Sequence, residues 1–491
     1  MEIVSDNRLL LATLAPLLGA GLIMVTGRKP NLREGCSLAA AATLFALVAS
    51  LMPEIQAGKS LRFTVAELLP GLSIALRADA MSMIFAVSAS FLWVVTVFYS
   101  AGYMRGLEEH AQTRFNACFA LALFGAMGCA FSDNLFTLYL FYEIVSVCTY
   151  PLVAHHQDAE GYAGGKQYLA YLTATAKALV LPAMVLIYVL TGTLDFADNI
   201  QSGILPADAP RGVVMALYAC CILGFAKNGL MPLHHWLPGA MVAPTPVSAL
   251  LHAVAVVKVG VFATTRVMLY VFGVDTMDAL GLGLPTAYFV SFTILAASVV
   301  ALSKDNLKAR LAYSTVSQLS YIILGVALLK PAAIAGGLVH IANHAFAKIT
   351  LFFCAGAIYV VTHKKNISEM DGLGRAMPFT FGAFALASLS MIGAPPVGGF
   401  ITKWYLLLGA LDAGSLGILL VLVASTLLNA AYFMPIVYRA FFAKATGNPH
   451  PPAFKEAHPA MVIPLSITAI LSLAVGVYPE FFMRFAQSML P

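Results

Sequence analysis

Glu143 sits in LYLFYEIVSVCTYPL, residues 138–152, the one acid among aliphatic and aromatic neighbours. Lys227, Lys258, Lys348 and Lys403 interrupt equally apolar stretches, as do Lys177 and Arg266. In HIANHAFAKITLFF, His340, His344 and Lys348 recur at every fourth position. On a helix they form one stripe about 12 Å long at ~1.5 Å rise per residue. An imidazole accepts on one nitrogen and donates on the other. Burial disfavours the charged form of a carboxylate or an ammonium, which prepares either group to exchange a proton. These residue types in this pattern point to proton transfer.

Each such charge costs about 2.5–3.5 kcal/mol at the centre of a bilayer, so it faces a bundle interior or a wet cavity. One acid cannot neutralise this set of lysines; some must be neutral, hydrated or transiently paired. Arg266, near one end of its apolar stretch, reads as a structural ion pair or a side chain reaching an interface. Lys177 has no role legible from its neighbours. His252 and Lys258, in HAVAVVKVGVF, lie about 240° apart around a helix. Lys258 is therefore the stronger candidate, and His252 a possible feeder. His234 and His235 follow a proline-rich break and suit either a proton mouth or an interface.

Other chemistry is not indicated. The histidine stripe lacks the acid or cysteine that would complete a metal shell, so no metal site is expected. The seven cysteines include no CxxC and read as small apolar side chains. GYAGGK at 161–166 lacks the spacing and preceding strand of a phosphate loop. Ser314, Ser317, Gln318 and Ser320 make their stretch unusually polar, either to hold water or to pack against another helix. His155 and His156 read as interfacial.

The elements that position these residues follow from composition. Of the 491 residues 60% are hydrophobic and 10% charged, where a soluble domain of this size carries about 25% charge. Runs of roughly 20 apolar residues recur along the chain, the length that crosses a bilayer as helix. The runs are continuous rather than alternating, so the fold class is an all-α polytopic membrane protein. Fourteen spans are expected, near 8–27, 35–53, 79–104, 112–131, 134–154, 165–191, 211–231, 243–270, 284–303, 309–328, 333–361, 376–407, 413–441 and 458–485. No long soluble segment separates them, so 1–491 reads as a single membrane domain.

Two spans are broken. The seventh runs into GLMPLHHWLPGAMVAPTPVSALL and the twelfth contains MIGAPPVGGFITKW. Proline removes a helix hydrogen bond and glycine loosens the chain, and such breaks at membrane depth line cavities or pack within protein. Their separation by five spans suggests two five-helix repeats, spans 4–8 (112–270) and 9–13 (284–441), flanked by helices 1–3 (8–104) and a C-terminal helix (458–485). Lysine and arginine, Lys444 among them, concentrate in alternate connections, which places both termini outside.

At this point the sequence resembles a known family. LFYEIVSVCTYPL, GFAKNGLMPLHHWLPGAMVAPTPVSALLHAVAVVKVGVF, LKARLAYSTVSQLSYI, HIANHAFAKITLFFCAGAI and LSMIGAPPVGGFITKWYLL occur in order. They resemble the antiporter-like subunits of respiratory complex I, Mrp-type sodium/proton antiporters and membrane-bound hydrogenases, most closely the D-type member of the Mrp set and its complex I relatives. The resemblance implies inverted repeats, a coupled pair of Glu143 and Lys227, a central Lys258, a connecting stretch at His344 and Lys348, and Lys403 at the twelfth helix. One complex I subunit type carries glutamate at the position of Lys403. It further implies a non-enzymatic, proton-translocating subunit of an Mrp-type Na+/H+ antiporter in a bacterial cytoplasmic membrane. Its partners would be other membrane subunits, protons and sodium, with no cofactor and no nucleic acid. A redox-driven pump subunit and a non-conducting scaffold are the alternatives.

Overall fold

The computed structural model describes residues 2–443 and 454–490; Lys444, used above for orientation, lies outside the described residues. Helices α1 (Arg8–Val25) and α2 (Pro30–Gln56) are followed by a hairpin of β2 (Lys59–Leu69) and β3 (Leu72–Ala78), with β1 (Glu2–Ser5) parallel to β2. Then come α3 (Ala80–Gly106), α4 (Gln112–Ala130), α5 (Leu135–Val153), α6 (Ala159–Thr191), α7 (Arg211–Gly224) and α8 (Thr245–Phe272). The chain continues through α9 (Gly283–Ser303), α10 (Leu307–Ala327), α11 (Pro331–Thr362), α12 (Pro378–Ile392) and α13 (Gly398–Asp412). It closes with α14 (Leu416–Phe441), α15 (Pro459–Val477) and α16 (Glu480–Gln487).

Among the described residues, eleven helices are long and apolar enough to cross a membrane. Two shorter apolar helices, α7 and α12, stop at the breaks read from the sequence. Polar residues at the starts fix helix ends by capping the free backbone N–H groups of the first turn. Asp79 accepts from Ser82 N at 2.9 Å to begin α3, and Asn134 accepts from Thr137 N at 2.7 Å to begin α5. Asn306 does the same for α10, accepting from Ala309 N at 3.1 Å.

The layering follows from which faces are apolar all round. Helix α8 is buried along its whole length, and α3 and α11 are largely buried beside it. Helices α1, α2, α14 and α15 bury one stripe and expose the rest, including Leu18, Val25, Leu427 and Ile470. An apolar outer surface of this kind is what lipid contact requires. The protein is a multi-pass membrane protein.

The structure differs from the expected spans in three places. A three-stranded sheet occupies residues that an all-helical chain leaves as terminus and connection. Its apolar runs are too short for a bilayer, and β3 instead packs onto the α4–α5 connection, with Asp133 N donating to Ala75 O at 3.0 Å. The seventh span ends seven residues early, at Gly224: Phe225 leaves helical geometry, and a short turn over Ala226–Asn228 leads to Gly229 at positive φ. The last span divides at Tyr478–Pro479 into α15 and α16.

Candidate functional site

Both breaks are built so that freed backbone groups find partners without water, the condition for irregular chain at membrane depth. After α7, Asn228 donates from Nδ2 to Ile222 O at 2.9 Å and accepts from Leu230 N at 3.0 Å. Trp236 donates from Nε1 to Ala226 O at 3.0 Å, closing the turn. Helix α8 approaches this turn through Gly260: a Cβ there would lie 2.2 Å from the carbonyl carbon of Lys227. Between α12 and α13, Gln318 and Asn429 both donate to Met391 O, at 3.3 and 3.2 Å. Asn343 donates to Gly398 O at 2.8 Å.

The first break delivers Lys227 to α5. Its Nζ donates to Tyr142 O at 2.8 Å and Ser146 Oγ at 2.7 Å, and lies 3.1 Å from the centroid of the Tyr142 ring. The ammonium is fully buried. The direct ion pair expected between Glu143 and Lys227 is not formed. Glu143 points away around α5, is half-buried, and its Oε1 has no hydrogen-bond partner among the described residues. One residue separates the two outcomes: Tyr142 and Ser146 share the inward face of α5, while Glu143 sits about 100° away from Tyr142.

A line of buried polar groups runs from α8 through α11 and α10 to α13, with no hydrogen bond joining His344 to His340 or His340 to Lys403 among the described residues. Lys258 Nζ meets His344 Nδ1 at 2.7 Å, both side chains buried. Whichever of the two holds the shared proton, the other accepts it. The His344 and His340 rings are 5.7 Å apart, one turn along α11, and His344 Nε2 has no partner among the described residues. His340 Nε2 contacts Gln318 Oε1 at 3.0 Å, and His340 Nδ1 contacts Thr402 Oγ1 at 3.0 Å. Gln318 uses its amide N–H on Met391 O, so its oxygen faces the ring and Nε2 is the protonated nitrogen of neutral His340. Thr402 also reaches Gly399 O at 3.0 Å. Its hydroxyl hydrogen can point to His340 Nδ1 when the ring is neutral, or to Gly399 O when the ring is charged and both nitrogens donate. This pocket satisfies His340 in either protonation state.

Lys403 ends the chain, with Nζ donating to Ile392 O at 2.7 Å and Thr426 Oγ1 at 3.1 Å. Gly393, with φ of +86°, leaves room there: a Cβ would lie 2.6 Å from Lys403 Cδ. Lys348 donates to Leu311 O at 3.2 Å and to Ser314 Oγ. Among the described residues, every one of these ammonium groups is therefore held by carbonyls, hydroxyls or imidazole, and none by a carboxylate.

The remaining expected residues fall elsewhere. His252 is fully buried, stacks on Phe352 with centroids 4.6 Å apart, and neither ring nitrogen has a partner among the described residues. His234 and His235, expected at a mouth, lie beside α10, with His234 6.1 Å from the Tyr313 ring. The cavity at the end of the molecule opposite the N-terminus, about 530 Å³, is lined by other residues, including Glu109, His156, Thr245, Lys308 and Lys365. Arg266 is a structural ion pair, Nη1 to Asp79 Oδ2 at 2.6 Å. Lys177 is exposed on a π-turn of α6 (Ala176–Val180).

Sequence reasoning missed Tyr142, Ser146, Thr402 and Asn429 and left Gln318 undecided. Each is a neutral polar residue whose function depends on which helix faces it. At the molecule's two ends, burial shifts groups outside the spans. Burial pushes Asp133 up to about 6 against the pull of Arg62 and Arg77. Burial, aided by His110 and Arg114, pushes His155 down to about 4.

With this geometry in hand, the chain was compared with known proteins. The family described as NADH:quinone oxidoreductase/Mrp antiporter, TM, matches residues 132–429. NADH-quinone oxidoreductase subunit N of Desulforudis audaxviator is 33% identical over 479 residues, covering 94% of this chain and 93% of that protein. Two solved structures share the fold across 98% of this chain and 97% of theirs. One is from the Mrp complex of a Dietzia species, with a TM-score of 0.86 and 22% identity. The other is from an archaeal respiratory complex, the membrane-bound sulfane sulfur reductase, with a TM-score of 0.88 and 23% identity. At such identities the two structures carry the fold alone, and the set does not single out one subunit type.

Proposed function

We propose that this chain, which belongs to the NADH:quinone oxidoreductase/Mrp antiporter membrane family, translocates protons along its buried polar axis as one subunit of a larger membrane complex. The observation that carries this reading is the run Lys258–His344–His340–Gln318/Thr402–Lys403, buried throughout and, among the described residues, free of carboxylate. A scaffold would gain stability by losing such groups, since an unneutralised buried charge is costly. Lys227 and Glu143 form the other end. Within the described residues no hydrogen bond joins Lys227 to Lys258, His344 to His340, or His340 to Lys403, so waters or side-chain swings complete the path at these three places.

Lys227, loaded from one side, passes a proton toward Lys258. The Lys258–His344 contact hands it to His340, whose pocket accepts both protonation states, and Lys403 releases it. Glu143 acts through its charge, biasing Lys227 from the same turn of α5 rather than by direct contact. Lys348 and His252 lie beside the path toward the cavity end and serve as its feeders. The segments 112–270 and 284–441 act as inverted repeats, each with a break beside its terminal lysine. We place the chain in a bacterial cytoplasmic membrane with both termini outside.

Our primary setting is an Mrp-type Na+/H+ antiporter, and Lys403 argues against a close copy of the respiratory subunit type that has glutamate there. A redox-driven complex is the second reading, favoured by the 33% identity to a quinone oxidoreductase subunit over nearly its full length. Purification of the native complex with identification of its partners separates them. Small membrane subunits alone support the antiporter; iron–sulfur or nickel subunits overturn it in favour of the redox complex.

A further inference from the structure

We propose that the connections at the cavity end bind a divalent transition metal, best matched by Zn2+, through Glu109, His110 and His156. One ligand atom from each of these residues lies within 4.8 Å of the other two. His156 Nδ1 is 3.6 Å from Glu109 Oε2, and His155 Nε2 approaches the same oxygen at 3.8 Å. Tetrahedral zinc holds N and O donors about 2.0–2.1 Å from the ion, which sets them about 3.3–3.5 Å apart. The present spacing closes on an ion by rotation of exposed or half-buried side chains, with little backbone change.

His155 is the independent sign that something is missing here. It is completely buried, yet neither ring nitrogen has a hydrogen-bond partner among the described residues. A buried polar atom without a partner forfeits its hydration for nothing in return, and His155, whose Nε2 lies 3.8 Å from Glu109 Oε2, would recover that loss beside a bound ion. Its backbone is fixed, since Arg114 donates to His155 O at 2.8 Å. The ring of His110 stands 4.9 Å from that of His155, completing a group of three imidazoles around one carboxylate.

The donor set selects the ion. Imidazole nitrogens with a single carboxylate suit Zn2+ and its neighbours, whereas Mg2+ and Ca2+ take oxygen shells. The bound ion ties residues 107–111, between α3 and α4, to the turn after α5 at the rim of the 530 Å³ cavity. None of its ligands belongs to the proton axis, so the site stands or falls independently of the transport reading.

The test uses the purified full-length chain in detergent, stripped with chelator and titrated with zinc by equilibrium dialysis. The expected result is one saturable high-affinity equivalent per chain, lost in the double variant His110→Gln/His156→Gln and kept in His235→Gln. A zinc-edge absorption spectrum of the loaded wild-type chain is expected to show imidazole ligands, and it needs no variant to fold. The absence of saturable zinc, unchanged binding in the double variant, or a spectrum without imidazole overturns the proposal.

Discussion

The pocket around His340 explains how a buried imidazole can change charge without leaving an orphan polar atom. Thr402 is the adjustable member, because its single hydrogen serves either Gly399 O or His340 Nδ1. Thr402→Val removes the acceptor that charged His340 needs and is expected to slow proton translocation roughly tenfold or more, while Thr402→Ser retains it. Initial rates of pH change in vesicles holding the complex check this. A second residue-scale outcome concerns Asp133. Its folded value of about 6 exceeds its ordinary 3.8 because burial opposes ionisation. The protonated form thus favours the fold, a contribution present below pH 4 and lost as pH rises through 6. Asp133→Asn is expected to remove this loss, about 2–3 kcal/mol between pH 4 and 7, measurable as a flatter dependence of thermal unfolding on pH. At this scale the sequence told residue types but not pairings. Glu143 and Lys227 were legible as the only acid and a nearby base, yet one residue of helical phase gives Lys227 to Tyr142 and Ser146 instead.

The broken helices were the most legible elements, because GLMPLHHWLP and GAPPVGG carry the residues that cannot continue a helix. What fills those breaks was not legible. Asn228, Gln318 and Asn429 are ordinary polar residues until tertiary packing sets them against free carbonyls. The sheet was missed for a related reason: β2 and β3 are read against spans, and their apolar residues are too few for a bilayer. Two outcomes test the elements. Gly260→Ala places a methyl 2.2 Å from the Lys227 carbonyl carbon, and overpacking of this kind costs about 1–3 kcal/mol. A lowered unfolding temperature, with translocation impaired in whatever chain folds, is the expected result. Asp79→Asn leaves Arg266 buried beside a neutral partner. Breaking such a pair costs about 3–5 kcal/mol, so the variant is expected to accumulate poorly in membranes, as immunoblotting of membrane fractions checks.

For the whole molecule, the arrangement is a bundle whose buried inner helices carry most of the proposed proton axis while its flanks meet lipid. Helix α8 brings Lys258, α11 brings His340, His344 and Lys348, and α3 supplies the acid that locks Arg266. Fold class and the membrane setting were legible from composition and span length alone. The course of the axis was not, since it crosses from α8 to α11, α10 and α13, and no sequence spacing encodes those contacts. The central claim is that protons pass through Lys258. The most direct measurement is proton translocation by the intact complex in sealed vesicles, comparing the wild type with Lys258→Met after gel filtration has shown equal assembly. The account requires translocation to fall to the background of empty vesicles in the variant; translocation at the wild-type rate would contradict it.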